Sequence, residues 1–174
     1  MDRYGYEKVD TTVQQERLIE RFSNDKARLD HALDNTNALI LQSHGKPYMP
    51  ELYLRLAELY IEKSRVAYFL RRTESGAAIK SSIDSLETNA LKGKAIEIYQ
   101  RILNNYPKFK YRGKVHFYLA HEFRELNRLE EMVKQYLAIV NKYPKSEYVA
   151  ESYLLLGDHH FSKQKLDEAR ASYE

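Results

Sequence analysis

Residues 99–108 read Tyr-Gln-Arg-Ile-Leu-Asn-Asn-Tyr-Pro-Lys, and residues 136–145 read Tyr-Leu-Ala-Ile-Val-Asn-Lys-Tyr-Pro-Lys. The two stretches stand 37 residues apart, Pro107 to Pro144, and each carries a tyrosine (Tyr99, Tyr136) and an isoleucine (Ile102, Ile139) at the same distance before its proline. A fixed period of roughly 20–50 residues marks stacked supersecondary units, none of which can bury its apolar face alone. The overlay therefore predicts a helical-repeat scaffold.

Working outward, helices are predicted over 113–126 and 129–142, joined by Asn127-Arg128, and over 147–161 and 166–174 beyond Pro144. The last of these has two turns, marginal alone, which predicts a superhelix that continues past Glu174. Towards the N-terminus, a helix resumes near Asn89 with Ala95, Ile98, Tyr99, Ile102 and Leu103 facing inward. Residues 73–87 carry few large apolar groups and read as a loop or a weak extra turn. Pro50 opens another helix, because proline is tolerated in a first turn; Leu52, Leu56, Leu59, Tyr60, Val66, Phe69 and Leu70 line its buried side. Thr12 and Gln15 have capping-box spacing. From there Val13, Leu18, Phe22, Leu29, Leu33 and Ile40 trace one long amphipathic helix, ended near Gly45 by Pro47 and Pro50. About 30 residues at the helical rise span roughly 45 Å. The expected organisation is a frayed segment at 1–10, a long helix at 11–45 and a solenoid at 46–174.

Composition agrees with long helices. The 174 residues include only 6 Gly and 4 Pro, and 43% are hydrophobic against 30% charged. Tyrosine dominates the aromatics, 15 against 6 Phe and no Trp, and its apolar body with a hydroxyl that reaches water suits thin, exposed layers. The net charge of +3 is uneven: residues 46–112 hold 13 basic and 7 acidic groups, whereas the flanking segments are near balance. A nucleic-acid binder of this size carries a larger and more clustered excess. The absence of cysteine excludes disulfides and thiolate metal sites. No run approaches the length of a membrane span, and Met1-Asp2-Arg3-Tyr4-Gly5-Tyr6 lacks the apolar core of a signal peptide.

From Gly113 onward the chain resembles the tetratricopeptide repeat family. His116, Leu119, Ala120, Phe123, Met132, Tyr136, Ile139 and Pro144 stand where its 34-residue unit has preferred residues. Tyr153, Leu156, Gly157, His160, Ala169 and Tyr173 do so in a following partial unit. Met132 is larger than the small residue preferred where paired helices cross, so that crossing is expected to be wide. An earlier unit is similar but split: Leu56, Ala57 and Tyr60 fit its first helix, and Ala95, Tyr99, Ile102 and Pro107 fit a second that arrives late. The resemblance implies an all-α, right-handed helical-repeat solenoid with a long N-terminal helix. Its units are a split one at 50–107 with an insertion at about 68–88, one at 113–146 and a partial one at 150–174. The Tyr-Pro-Lys-Ser run at 143–146 resembles repeats of bacterial envelope proteins, such as the outer-membrane assembly lipoprotein and Tol–Pal-associated proteins. The Pro-Glu-Leu-Tyr-Leu-Arg-Leu-Ala-Glu-Leu-Tyr run at 50–60 resembles myxobacterial repeat proteins, some of gliding-motility machinery.

In that family the first helix of each unit lines a concave groove. The resemblance assigns Leu54, Glu58 and Ile61 to it in the first unit, flanked by Glu51 and Glu62. Lys114, Phe117, His121 and Arg124 follow in the second with Glu125, and Leu154, Asp158 and Phe161 in the third with Glu151 and Ser162. Phe117, Leu154 and Phe161 are expected to form an apolar strip rimmed by charge, suited to an extended or helical peptide. The alternative is that the leading helix fills the groove. The family's carboxylate clamp is absent, because Phe117 and His121, then Leu154 and Asp158, replace its Lys and Asn.

Other clusters read more simply as structure. Lys108-Phe109-Lys110-Tyr111-Arg112-Gly113-Lys114 interleaves basic and aromatic groups as nucleic-acid sites do, but it falls in a turn where solvated lysines are ordinary. His159-His160 are adjacent and diverge by about 100° on a helix, which is poor for a metal. No nucleophile–base order, phosphate loop or carboxylate pair for catalysis is present. The sequence thus predicts a non-catalytic interaction scaffold without cofactor, metal or nucleic acid. The resemblance implies an adaptor in a bacterial cell-envelope or motility complex, not membrane-spanning but able to associate with a membrane through its partners. A homo-oligomerisation module, or a regulatory repeat domain of a larger protein, is the alternative. The expected compartment is the periplasm or envelope, with the cytoplasm as alternative.

Overall fold

The structure, a computed structural model, describes residues 11–75 and 82–174, so the expected fraying at 1–10 lies outside the described residues. Among the described residues seven helices follow one another: α1 (Thr11–Gln42), α2 (Met49–Glu74), α3 (Ser82–Asn105), α4 (Arg112–Glu125), α5 (Leu129–Lys142), α6 (Val149–Ser162) and α7 (Leu166–Tyr173). No strand occurs among the described residues, and substantial packing joins each helix only to its neighbours in sequence. This is an all-α helical-repeat fold in which stacked hairpins share one continuous core.

The echoed residues occupy equivalent places. Tyr99 and Tyr136 are buried, as are Ile102 and Ile139, and burial pushes the Tyr136 hydroxyl up to about 12. Ala57, Ala95, Ala120 and Ala169 are also buried, small residues where backbones pack closely, and Met132 is accommodated in the core. The turns obey the same period. Asn127 and Gln164, again 37 apart, both take positive φ (57° and 58°) after α4 and α6. In each turn the next residue's N–H reaches back across it, Arg128 to Phe123 O at 2.8 Å and Lys165 to His160 O at 3.0 Å. Left-handed residues of this kind satisfy the last helical carbonyls and reverse the chain.

Arg112 joins the two units that meet at Pro107. Its Nη1 donates to Leu103 O at 2.7 Å and Tyr106 O at 3.1 Å, closing the end of α3, and its Nε donates to the Tyr143 hydroxyl at 2.8 Å. Both Tyr-Pro turns are thus tied through one guanidinium, a geometry that its planar fork of donors allows. Phe109 is buried beside it. Two members of the basic–aromatic run are therefore internal struts.

The split unit differs from expectation in its helices. The stretch 73–87, expected as a loop or weak turn, is helical as far as Glu74 and again from Ser82; residues 76–81 lie outside the described residues. A charge junction supports this lengthening: Glu87 on α3 meets Arg71 of α2 and Lys26 of α1, each at 3.3 Å. α2 has 26 residues and α3 24, against 14 in each of α4, α5 and α6. The extra turns are accompanied by α1, which runs antiparallel to α2. Asp30 pairs with Lys63, Phe22 stacks on Phe69 (ring centroids 6.0 Å), and Gln15 Nε2 donates to Thr73 O at 2.6 Å. The apolar stripe expected on α1 is buried only in its second half. Leu33 is in the core and Phe22, Leu29 and Ile40 are half-buried, whereas Val13 and Leu18, near the end of α2, are exposed. Phe69, expected to be buried, is half exposed, with Phe22 stacked on its ring and Tyr68 edge-on beside it.

Candidate protein-binding groove

α4 crosses between the pairs on either side of it, and its residues face two hollows. The first, a cleft of about 290 Å³, lies between α2, α3 and α4. Glu58, Ile61, Glu62 and Arg65 of α2 form one wall, spaced three to four apart so that they share a helix face. Phe117, Tyr118, His121 and Glu122 of α4 form the opposite wall, and Tyr99 of α3 lies between them. No residue of α1 lines this cleft; the leading helix packs along α2 instead of filling it.

Four of the ten expected groove residues, Glu58, Ile61, Phe117 and His121, meet in this cleft. Lys114 adjoins it: its Nζ lies 3.1 Å from Glu58 Oε1 and 5.2 Å from the Tyr118 ring centroid. Desolvation pulls the Lys114 pKa down, but the hydrogen bond and charge of Glu58 outweigh it, and the net shift is upward. Leu54 is buried, packed into the core rather than presented to a ligand. Arg124 and Asp158 are exposed; the Asp158 carboxylate accepts a hydrogen bond from the Tyr173 hydroxyl at 2.8 Å. Leu154 and Phe161, 52% and 63% exposed, are the counterparts of Phe117 and Arg124 at the 37-residue period.

The apolar strip does not run unbroken. Phe117 is buried, with its ring stacked on Tyr148 at 4.5 Å between centroids, so it is spent on holding α4 against the start of α6. Leu154 and Phe161 carry the open apolar surface.

Arg65, Tyr99, Tyr118 and Glu122 were not among the expected groove residues. Burial, followed by the charges of Glu122 and Glu58, pushes the Tyr99 hydroxyl far above its ordinary range. Glu122 is 4% exposed; its Oε2 finds no hydrogen-bond donor among the described residues, and its Oε1 lies 3.6 Å from His121 Nδ1. A sequence signal for Glu122 existed. It falls seven residues after Val115 and three after Leu119, on the buried stripe of α4, where a carboxylate is out of place.

The second hollow, about 590 Å³, lies between the start of α4 and the α5–α6 turn. Lys110, Lys114, Lys142 and Lys145 border it with Tyr143 and Ser146. Gly113 allows the close approach at its floor, because a Cβ there would meet Ser146 Oγ at 2.7 Å.

Two other clusters are placed plainly. His159 and His160 have ring centroids 5.7 Å apart in an edge-on arrangement, and no group of three metal-ligating side chains forms among the described residues. His116 is held by Gln135 at 2.8 Å, and burial lowers its pKa.

No helix among the described residues is long and apolar enough to cross a membrane. No curated protein and no solved structure matches the chain. A family model described as tetratricopeptide repeat matches residues 85–108, the greater part of α3 with its Tyr-Pro turn, which supports the tetratricopeptide repeat family and suggests a protein–protein interaction scaffold.

Proposed function

We propose that this protein is a non-catalytic adaptor whose concave face, from the α2–α4 cleft to Leu154 and Phe161 on α6, receives a segment of a partner protein. The observation that carries this reading is the pairing of a small polar cleft with two large apolar side chains left in solvent at the repeat-equivalent positions of α6. Such a combination of anchor sites and polar rim suits peptide recognition. The finer placement, in a bacterial cell-envelope or motility assembly, rests on the resemblance of the 143–146 and 50–60 runs alone.

A photo-reactive residue at Leu154 or His121, compared with one at exposed Lys134 on α5, tests both levels in the native organism. Protein adducts at the first two positions and not at the third, recovered in the envelope fraction, support the proposal. Equal adducts at all three positions defeat the groove; adducts confined to the cytoplasmic fraction defeat the envelope placement.

A second reading is self-association. Leu154, Phe161, Leu166 and Tyr173 leave an exposed apolar end, and a second copy would cover it. Light scattering across concentrations separates the two readings, because an adaptor without its partner stays monomeric.

A further inference from the structure

We infer that the α2–α4 cleft is a receptor for a basic side chain, the arginine or lysine of a partner segment; this rests on the groove reading above and gives its ligand a charge. Three carboxylates line the cleft, Glu58, Glu62 and Glu122, against one guanidinium, Arg65. Lys114 and Arg55 are already engaged, Lys114 with Glu58 and Arg55 with Glu58 and Glu62 at 3.9 and 3.8 Å. Of the three, Glu122 is thus the carboxylate that no lysine or arginine among the described residues pairs with. His121 is the nearest basic group to Glu122, at 3.6 Å, beyond hydrogen-bond distance and charged only when protonated.

Glu122 is the decisive group. A carboxylate withdrawn from water needs a cation or several donors to offset its lost hydration. The Glu122 side chain is 5% exposed, yet Oε2 has no donor among the described residues. Glu122 lines the cleft wall, and its Oε2 is itself withdrawn from solvent, so a donor reaches it through the cleft once the side chains over it part. Its surroundings suit a cation as well. Tyr118, half-buried, lines the same space and already holds Lys114 Nζ 5.2 Å from its ring centroid, and aromatic faces of this kind attract ammonium and guanidinium groups. The cleft volume of about 290 Å³ falls at the small end of ligand sites, room for a side chain, not for a helix. A long basic side chain would lay its methylenes along the walls of the cleft and bring its charge to Glu122, as amphipathic side chains do.

A display library of random peptides, selected in parallel on the wild-type chain and on Glu122→Gln, tests this. The expected result is a basic residue fixed at one position of the wild-type binders, and at least a tenfold loss of affinity when the best of them is offered to E122Q. A chemically shifted probe, the same peptide with that residue replaced by citrulline, should lose a similar factor on wild type and nothing further on E122Q. Binders with no fixed basic residue, or with equal affinity for both chains, overturn the inference and leave the adaptor reading standing. Failure to select any binder overturns both. Glu62→Gln, on the exposed rim of the cleft, serves as a second variant should E122Q not fold. It is expected to weaken the same peptide two- to fivefold; unchanged binding there would count against a charge-reading cleft.

Discussion

Gly157 and Gly93 show how far one methyl group is felt in this chain. A Cβ at Gly157 would overlap the Tyr173 ring, whereas at Gly93 nothing lies within 4 Å. Both are helical with ordinary φ, so sterics alone separate them. Gly157→Ala is expected to displace the half-exposed Tyr173 ring and to cost about 1 kcal/mol, the low end for overpacking. Gly93→Ala should gain about 0.5–1 kcal/mol by reducing backbone freedom in mid-helix. Urea unfolding of the two variants reads the difference, and a Gly157→Ala chain as stable as wild type would mean that the Tyr173 ring does not sit over Gly157 as described. Gly157 was legible in the sequence because the repeat demands a small residue there. Glu122 was not picked out: a repeat template records which positions pack but not that one of them carries a charge. Only the placement of Tyr99 and Glu58 around it turns that charge into part of a cleft.

At the scale of elements, the first three helices outgrow the rest. The turns of α2 and α3 that pass beyond the 14-residue repeat length have no neighbouring hairpin to cover them, and α1 takes that role. Contacts that hold its N-terminal half include the Phe22–Phe69 stack, the Lys26–Glu87 pair and the Gln15 bond to Thr73 O. Partly exposed ion pairs contribute little, so the aromatic stack should dominate. Phe22→Ala is expected to cost about 1–2 kcal/mol and to speed amide hydrogen exchange in the first half of α1. Exchange in α4 to α6 should stay unchanged, because stacked helices respond through nearest neighbours. Faster exchange throughout the chain would show instead that arm and stack open as one unit. The long helix and the late second helix were legible from periodicity and from the misfit of Ala95 and Tyr99 to a 34-residue unit. The helical start at Ser82 was not, because a segment poor in large apolar residues gives no stripe. Its helicity is accompanied by contacts far away in sequence, Glu87 to Lys26 among them.

Across the whole molecule, a modest net charge hides a sorted surface. The cleft between α2 and α4 is acidic and the hollow by the α5–α6 turn is basic, and the Glu58–Lys114 pair stands where they meet. A partner segment that crosses both must carry charges in the opposite order, a demand that no count of lysines in the sequence could state. Stability is sorted as well. α2 buries ten residues, α6 buries three (Ser152, Leu156, Gly157), and α7 only Ala169. In a structure where each helix leans mainly on its neighbours, burial of that kind sets local opening free energies. An eight-residue helix has little stability of its own. Amides of α7 and the second half of α6 are therefore expected to exchange through small openings that barely respond to denaturant. Those of α2 and α3 should exchange only by unfolding of the whole chain, with a steep dependence on urea. Native-state hydrogen exchange across a urea series reads both slopes at once. If α7 showed the same steep slope as α3, the stack would be a single cooperative unit, and its exposed apolar end would be as rigid as its centre. A shallow slope that becomes steep when a groove peptide is added would place Leu154 and Phe161 in the bound interface, since ordering by a ligand stabilises what it touches.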